Sequence, residues 1–199
     1  MLPSPSHLRT LDALHPNAAP SRGGPRPLRP ARPAVLLNAN AKRVTPRLVR
    51  RLSALVPEDD VHVSRDLDEA RAHVRRILDV GYRSVLLGGG DGTIATMMNL
   101  IVEVGAEPRF RRCLPPDLGV LRLGTGNALA GFVGAGRPET DVARVVSGEA
   151  LIATPVRVLE APERGEVFPF GSVGYDARLL NDYMDMVAAA GSGPLARRL

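Results

Sequence analysis

The sequence predicts an α/β domain built on a parallel, Rossmann-like sheet, followed by the start of a β-rich second domain. Three observations carry this expectation. Short apolar runs alternate with amphipathic stretches from Ala34 to about residue 150, the pattern of strands joined by crossover helices. Two loops, Gly88-Gly89-Gly90-Asp91-Gly92-Thr93 and Gly124-Thr125-Gly126-Asn127, each separate an apolar run from a helical stretch. After about Gly148 the pattern changes to two strand-like segments around a turn, Leu151 to Leu159 and Val167 to Ser172.

Residues 1–33 hold eight of the 18 prolines, five arginines and one acid, Asp12. Such a segment buries too little apolar surface to offset its ordering entropy, so a disordered tail is expected there. Its net charge is +4 of the chain's +5, which leaves the folded body near neutral. With aromatic residues at 4% and no Trp, stacking platforms for nucleic acid are not expected either. The single cysteine, Cys113, excludes an internal disulfide framework and points to a reducing compartment. No apolar run approaches the ~20 residues that cross a bilayer, and no apolar signal segment is visible at the N-terminus. The expectation is a cytoplasmic protein.

From Ala34 the elements follow in order. Ala34-Val35-Leu36-Leu37 reads as a buried strand ending in Asn38-Ala39-Asn40. Pro46 to Val56 reads as a helix, with Thr45 as N-cap and Pro46 in the first helical position. Val61-His62-Val63 is a second strand. Asp66 to Val80 is an amphipathic helix with Leu67, Ala70, Val74, Ile77 and Leu78 on one face and Gly81 as its stop. Ser84 to Leu87 is a third strand, Thr93 to Gly105 a third helix, and Leu118 to Leu121 a fourth strand. Tyr175 to Ala190 reads as a helix. The expected divisions are a tail (1–33), a parallel-sheet domain (34–150) and an incomplete second domain (151–199). In a parallel sheet ligands bind at the carboxyl ends of the strands. The loops at Asn38–Arg43, Gly88–Thr93 and Gly124–Asn127 all fall at those ends.

The chemistry of the first glycine loop follows from its residue types. Successive glycines let the backbone approach a phosphate and turn N–H groups toward it, and the helix start adds its positive end. Thr93 supplies a hydroxyl to a phosphate or caps the helix. Asp91 would repel a bare phosphate, but suits a site where it works with a metal ion or takes a proton from an attacking hydroxyl. The second loop echoes the dinucleotide-binding pattern, but Leu129 stands where the third glycine would fall, so a dehydrogenase is not expected. The four histidines lack ligand spacing, so no histidine metal site is expected.

Taken together, Gly89-Gly90-Asp91-Gly92-Thr93 and Leu123-Gly124-Thr125-Gly126-Asn127 resemble the paired motifs of the diacylglycerol kinase catalytic domain family. That family includes diacylglycerol, sphingosine and bacterial lipid kinases and shares a superfamily with NAD kinases. Asn38-Ala39-Asn40-Ala41-Lys42 matches its early strand end, and Ser64 its hydroxyl residue after the second strand. The resemblance implies ATP across the strand ends. Asn38 and Asn40 would contact the nucleotide, Lys42 or Arg43 would lie near phosphate, and Ser64 near the adenosine. Gly88, Gly89, Gly90, Gly92 and Thr93 would cradle phosphates, and Gly124, Thr125, Gly126 and Asn127 would complete the site. Mg²⁺ would bridge phosphate oxygens, and Asp91 would serve as general base or orient the acceptor.

Gly171-Ser172-Val173-Gly174-Tyr175-Asp176-Ala177 resembles the family's lipid-facing segment, so Asp176 is a substrate-side residue or the cap of the next helix. For Ser64 the alternative is a cap of the Asp66 helix, and for Lys42 and Arg43 a solvated loop. The segment Gly105–Asp117, with Arg109, Arg111 and Arg112, departs from the family as a surface loop or a basic patch. The implied activity is ATP-dependent phosphorylation of a lipid hydroxyl, on diacylglycerol or a sphingoid base. The implied partners are lipid at a membrane surface and a second copy of the chain. The competing readings are a nucleotide-binding remnant without transfer, and NAD kinase.

Overall fold

The structure is a computed structural model and describes residues 8–10, 32–149, 156–171 and 174–190. In chain order the strands are β1 (Leu8–Thr10), β2 (Ala34–Asn38), β3 (Val61–Ser64), β4 (Ser84–Gly89), β5 (Asp117–Arg122), β6 (Arg157–Ala161) and β7 (Glu166–Phe168). The helices are α1 (Pro46–Ser53), α2 (Leu67–Val80), α3 (Asp91–Gly105), α4 (Ala128–Phe132), α5 (Pro138–Val146) and α6 (Tyr175–Ala190).

The four apolar runs form a parallel sheet in the order β3-β2-β4-β5. Ala34 to Leu37 are wholly buried, because β2 is a central strand with helices on both sides. Its side chains alternate between the two cores. Leu36 joins Val85 and Leu87 beneath α2 and α3, while Val35 and Leu37 join Leu86 and Leu121 beneath α1 and α5. The local signals behave as their chemistry requires. Thr45 accepts from the Leu48 N–H and Pro46 opens α1, which ends at Ser53, short of Val56. Gly81 stops α2 in the left-handed region at φ 73°. α4 and α5, both short, follow β5.

At the amino ends of the strands, Asp60 is buried and accepts from the Tyr82 hydroxyl and from Arg32 Nε. Burial, then the bond to Asp60, pushes the Tyr82 hydroxyl up to about 12. This network anchors the approaches to β2, β3 and β4 at the end of the sheet away from the glycine loops.

His62, in the middle of β3, is also buried, and its Nε2 has no hydrogen-bond partner. Burial, helped by the positive charges of His73 and Arg76, lowers its pKa to about 4. The unfolded chain protonates near the ordinary value of ~6.5. Between those values it binds a proton that the folded chain does not. Stability is therefore full above ~6.5 and declines as pH falls toward about 4. Urea midpoints measured from pH 7.5 to 4.5 should fall along this limb, and His62→Leu should flatten it. A variant that keeps the wild-type slope would remove His62 as its cause.

Several sequence expectations are corrected. Leu8–Thr10 is a strand, paired antiparallel with Arg157–Leu159, so the proline-rich tail is not structureless throughout; residues 1–7 and 11–31 lie outside the described residues. The strands expected in 151–159 and 167–172 are the hairpin β6–β7, in a three-stranded sheet ordered β1-β6-β7, with 151–155 and 172–173 outside the described residues. Residues 1–169 group as one compact unit and 170–199 as another, so the hairpin belongs with the parallel-sheet unit. In the second unit α6 begins at Tyr175, which places Asp176 inside the first turn and not at the cap. Leu67 is 56% exposed and is no part of the core; as the first residue of α2 it lines the cleft at the strand ends instead. In the segment before β5, Arg109 stacks on Phe110 at 4.3 Å and pairs with Asp79 and Glu107, and Arg111 bonds the Ala106 carbonyl. Both charges are engaged locally.

Candidate functional site

Three chain segments leave the carboxyl ends of the parallel strands and tie one another in place. β2 ends in Asn38, whose Oδ1 accepts the Asn40 N–H at 2.9 Å, a side-chain turn that redirects the loop. Asn40 Nδ2 donates to the Arg65 carbonyl at 2.6 Å, and the Ala39 N–H donates to the Ser64 carbonyl at 2.8 Å. Ser64 is buried and donates to the Leu37 carbonyl at 3.2 Å. It does not cap α2. That role falls to Asp66, which accepts from the Glu69 N–H at 2.8 Å.

β2 and β4 are neighbours, but their connections leave toward opposite edges of the sheet, to β3 and to β5. A crevice opens between strand ends at such a switch point. Asn38 Nδ2 spans it, donating to Thr93 Oγ1 at 3.0 Å. Beside this bridge lies a cleft of ≈ 220 Å³, lined by Asn38, Asn40, Ser64 and Thr93 with Ala70 and Met97. Ala70 and Met97 were not among the sequence-predicted residues. Ala70 lies about one turn into α2 and Met97 nearly two turns into α3, both on the sheet-facing side, which periodicity assigns to the core.

The six residues of the first glycine loop divide by role. Gly88 is buried within β4, and a Cβ there would lie 2.4 Å from Leu37 Cδ2 and 2.9 Å from Leu123 Cδ1. Its lack of a side chain is explained by strand packing. A Cβ on Gly89 would lie 2.5 Å from Thr93 Cγ2. Gly90 is the N-cap of α3, without a side-chain cap bond, and Asp91, Gly92 and Thr93 form its first turn. Their N–H groups are those a helix leaves without internal partners. A Cβ on Gly92 would meet nothing within 4 Å. Packing therefore gives no reason for a glycine at this position.

The second glycine loop closes on itself. Asn127 adopts the left-handed conformation, φ 57°, and its side chain accepts from the Gly124 N–H at 2.8 Å and donates to the Gly124 carbonyl at 2.7 Å. Thr125 and Gly126 remain exposed at the tip. The two loops then meet. A Cβ on Gly124 would fall 2.3 Å from Gly90 Cα, so the backbones touch where neither carries a side chain. Asp91 reaches across, and its two oxygens accept the Ala128 and Leu129 N–H groups at 3.1 Å each. The acid that the sequence marks for chemistry also holds the start of α4.

The structure thus brings together Asn38, Asn40, Ser64, Gly89 to Thr93 and Gly124 to Asn127. Lys42 and Arg43 are exposed and do not line the cleft. Asp176 lies in the other compact unit, and its side chain is outside the described residues. Among the described residues no group of three or more His, Cys, Asp or Glu is placed to hold a metal ion. No described helix is long and apolar enough to cross a membrane.

The diacylglycerol kinase catalytic domain matches residues 33–158. The chain is 25% identical over 165 residues to the probable YegS-like lipid kinase of Enterobacter sp. (strain 638), covering 81% of this chain and 52% of that protein. It is 32% identical over 111 residues to the probable lipid kinase YegS of Salmonella heidelberg (strain SL476), covering 54% and 34%. The chain thus spans about half or less of the length of these relatives. A diacylglycerol kinase structure from Bacillus anthracis str. Sterne superposes with a TM-score of 0.46 at 23% identity, over 68% of this chain and 47% of that one. With the family domain covering more than half of its residues, this chain belongs to the diacylglycerol kinase catalytic domain family.

Proposed function

We propose that the chain binds ATP at the β2/β4 switch point and transfers the γ-phosphate to a lipid hydroxyl, of the diacylglycerol or sphingoid base class. The observation that carries this reading is the contact between the two glycine loops, Gly90 on Gly124, beside the cleft of Asn38, Ser64 and Thr93. The cleft takes the nucleoside, with Asn38, Asn40 and Ser64 offering polar atoms in its lining. The first-turn N–H groups of α3 and the exposed tip of the second loop receive the phosphates.

Mg²⁺ fits this donor set in one way. With no three-ligand protein cage among the described residues, it would be held by the phosphate oxygens, which leaves the Asp91 carboxylate to the acceptor. When bound it neutralises charge that builds on the transferring phosphoryl group. In the transfer itself the lipid oxygen bonds to the γ-phosphorus and the bond to the β,γ-bridging oxygen breaks. ADP leaves with that electron pair. Asp91, oriented by the Ala128 and Leu129 N–H groups, receives the hydroxyl proton.

The test is transfer of labelled γ-phosphate from ATP into an organic-extractable product, with diacylglycerol and sphingosine as acceptors and NAD as control. Label in NADP would establish the NAD kinase alternative. ATP binding without transfer to any acceptor would reduce the chain to a binding module. Gly92 offers an independent check. Gly92→Ala should leave the unfolding midpoint unchanged or slightly raised, since Ala is favoured over Gly in a helix by up to about 1 kcal/mol. It should weaken ATP binding roughly tenfold by placing a methyl where a phosphate approaches. Unaltered affinity would remove the α3 start from the site.

A further inference from the structure

Asn99 lies in the middle of α3, where Asn is a poor helix former and Ala would be better by roughly half a kcal/mol. Its surroundings give the reason for its presence. Asn99 Oδ1 accepts the Val167 N–H at 2.7 Å, and Nδ2 donates to the Val167 carbonyl at 2.8 Å. The remaining Nδ2 hydrogen goes to the Ala95 carbonyl at 2.9 Å. Val167 sits in β7, one of the two edge strands of the β1-β6-β7 sheet. One side-chain amide thus takes the donor and the acceptor that a further strand would take at this residue. The Val167 side chain is buried in the same core as Met98 and Leu100 of α3.

The placement of this clamp gives it a consequence. At a rise of ~1.5 Å per residue, Asn99 stands roughly 12 Å along α3 from Asp91, on one rigid element. Val167 lies two residues before Pro169, where the first compact unit ends. The glycine loop and the exit of the chain from its nucleotide-binding unit are therefore held to the two ends of one helical segment. We propose that Asn99 is a positioning residue that couples occupancy of the Gly90–Thr93 loop to the β6–β7 hairpin, fixing where the following segment leaves the unit. The coupling rests on the phosphate-binding reading above; the clamp itself does not.

Hydrogen–deuterium exchange on the 199-residue chain, with and without Mg-ATP, tests both. In the wild type, ATP should slow exchange at Gly90–Thr93 and, at least threefold, at Glu166–Phe168. In Asn99→Ala the hairpin should exchange at least tenfold faster without ligand and no longer respond to ATP, while the ATP dissociation constant stays within twofold. Asn99→Asp keeps the acceptor for the Val167 N–H but turns an oxygen toward the Val167 carbonyl. It should uncouple the hairpin as Ala does, and it serves if Asn99→Ala does not fold. Unchanged hairpin exchange in a folded variant would overturn the clamp. A wild-type hairpin that ignores ATP while the Gly90–Thr93 loop is protected would overturn the coupling alone. If ATP protects neither segment, the phosphate-binding reading falls and takes the coupling with it, and the unliganded comparison still decides the clamp.

Discussion

Gly124→Ala should abolish ATP binding and lower stability by about 2–3 kcal/mol, the upper part of the range for overpacking a closely fitted contact. The new methyl would stand 2.3 Å from Gly90 Cα, 3.2 Å from the Gly90 nitrogen and 3.3 Å from the Gly89 carbonyl oxygen. All three are backbone atoms at the junction of β4 and α3, and none can rotate away as a side-chain tip would. Relief requires the second loop to lift off the first. That movement would pull Ala128 and Leu129 away from Asp91 and open the surface on which the phosphates are proposed to rest. Gly88 provides a useful contrast. A methyl there meets the ends of Leu37 and Leu123, which can shift, so Gly88→Ala should cost stability with a smaller loss of binding. Urea denaturation with ATP titration calorimetry measures both quantities. A folded Gly124→Ala variant with wild-type affinity would show that contact between the loops is dispensable.

Asp91→Asn should reduce phosphotransfer by at least about 10²-fold, the low end of the effect of a positioned acid or base. The structure adds a second consequence. Each Asp91 oxygen accepts one backbone N–H at the start of α4, and the amide replaces one acceptor with a donor that faces an N–H. Losing a charge-assisted hydrogen bond costs about 1.5–3 kcal/mol, so a drop in the unfolding midpoint should accompany the loss of turnover. The two effects separate by comparison with Asp91→Ser, which removes the carboxylate without placing an amide donor against the backbone. If turnover tracks only the melting shift across these variants, Asp91 is a structural staple. If transfer is lost in both while ATP still binds, its carboxylate acts in the chemistry. Unaltered turnover in Asp91→Asn would refute the proposed role.

Much of the frame was legible before any coordinates. The run Ala34–Leu37 marked a buried strand because both its faces are apolar, and Thr45-Pro46 and Gly81 marked helix ends through chemistry that acts within four residues. The glycine loops could be found, since three successive glycines between a strand and a helix are a local pattern. Their division of labour could not be read. Gly88 and Gly92 are the same residue type four apart, yet one is set by Leu37 and Leu123 in the core and the other by no neighbour at all. Asn127, a nucleotide ligand by resemblance, spends its side chain closing its own loop on Gly124.

What the amino-acid sequence determined by itself is therefore the alternation of elements, the position of the loops and the residue types able to handle phosphate, all consequences of local propensity and periodicity. Tertiary structure alone decided that Asp91 binds the start of α4, that Asn38 meets Thr93 across the switch point, and that Asn99 holds the Val167 backbone. These contacts join residues 37, 55 and 68 positions apart. Their partners are fixed by strand order and by the space between packed helices, and no local stretch of sequence encodes either.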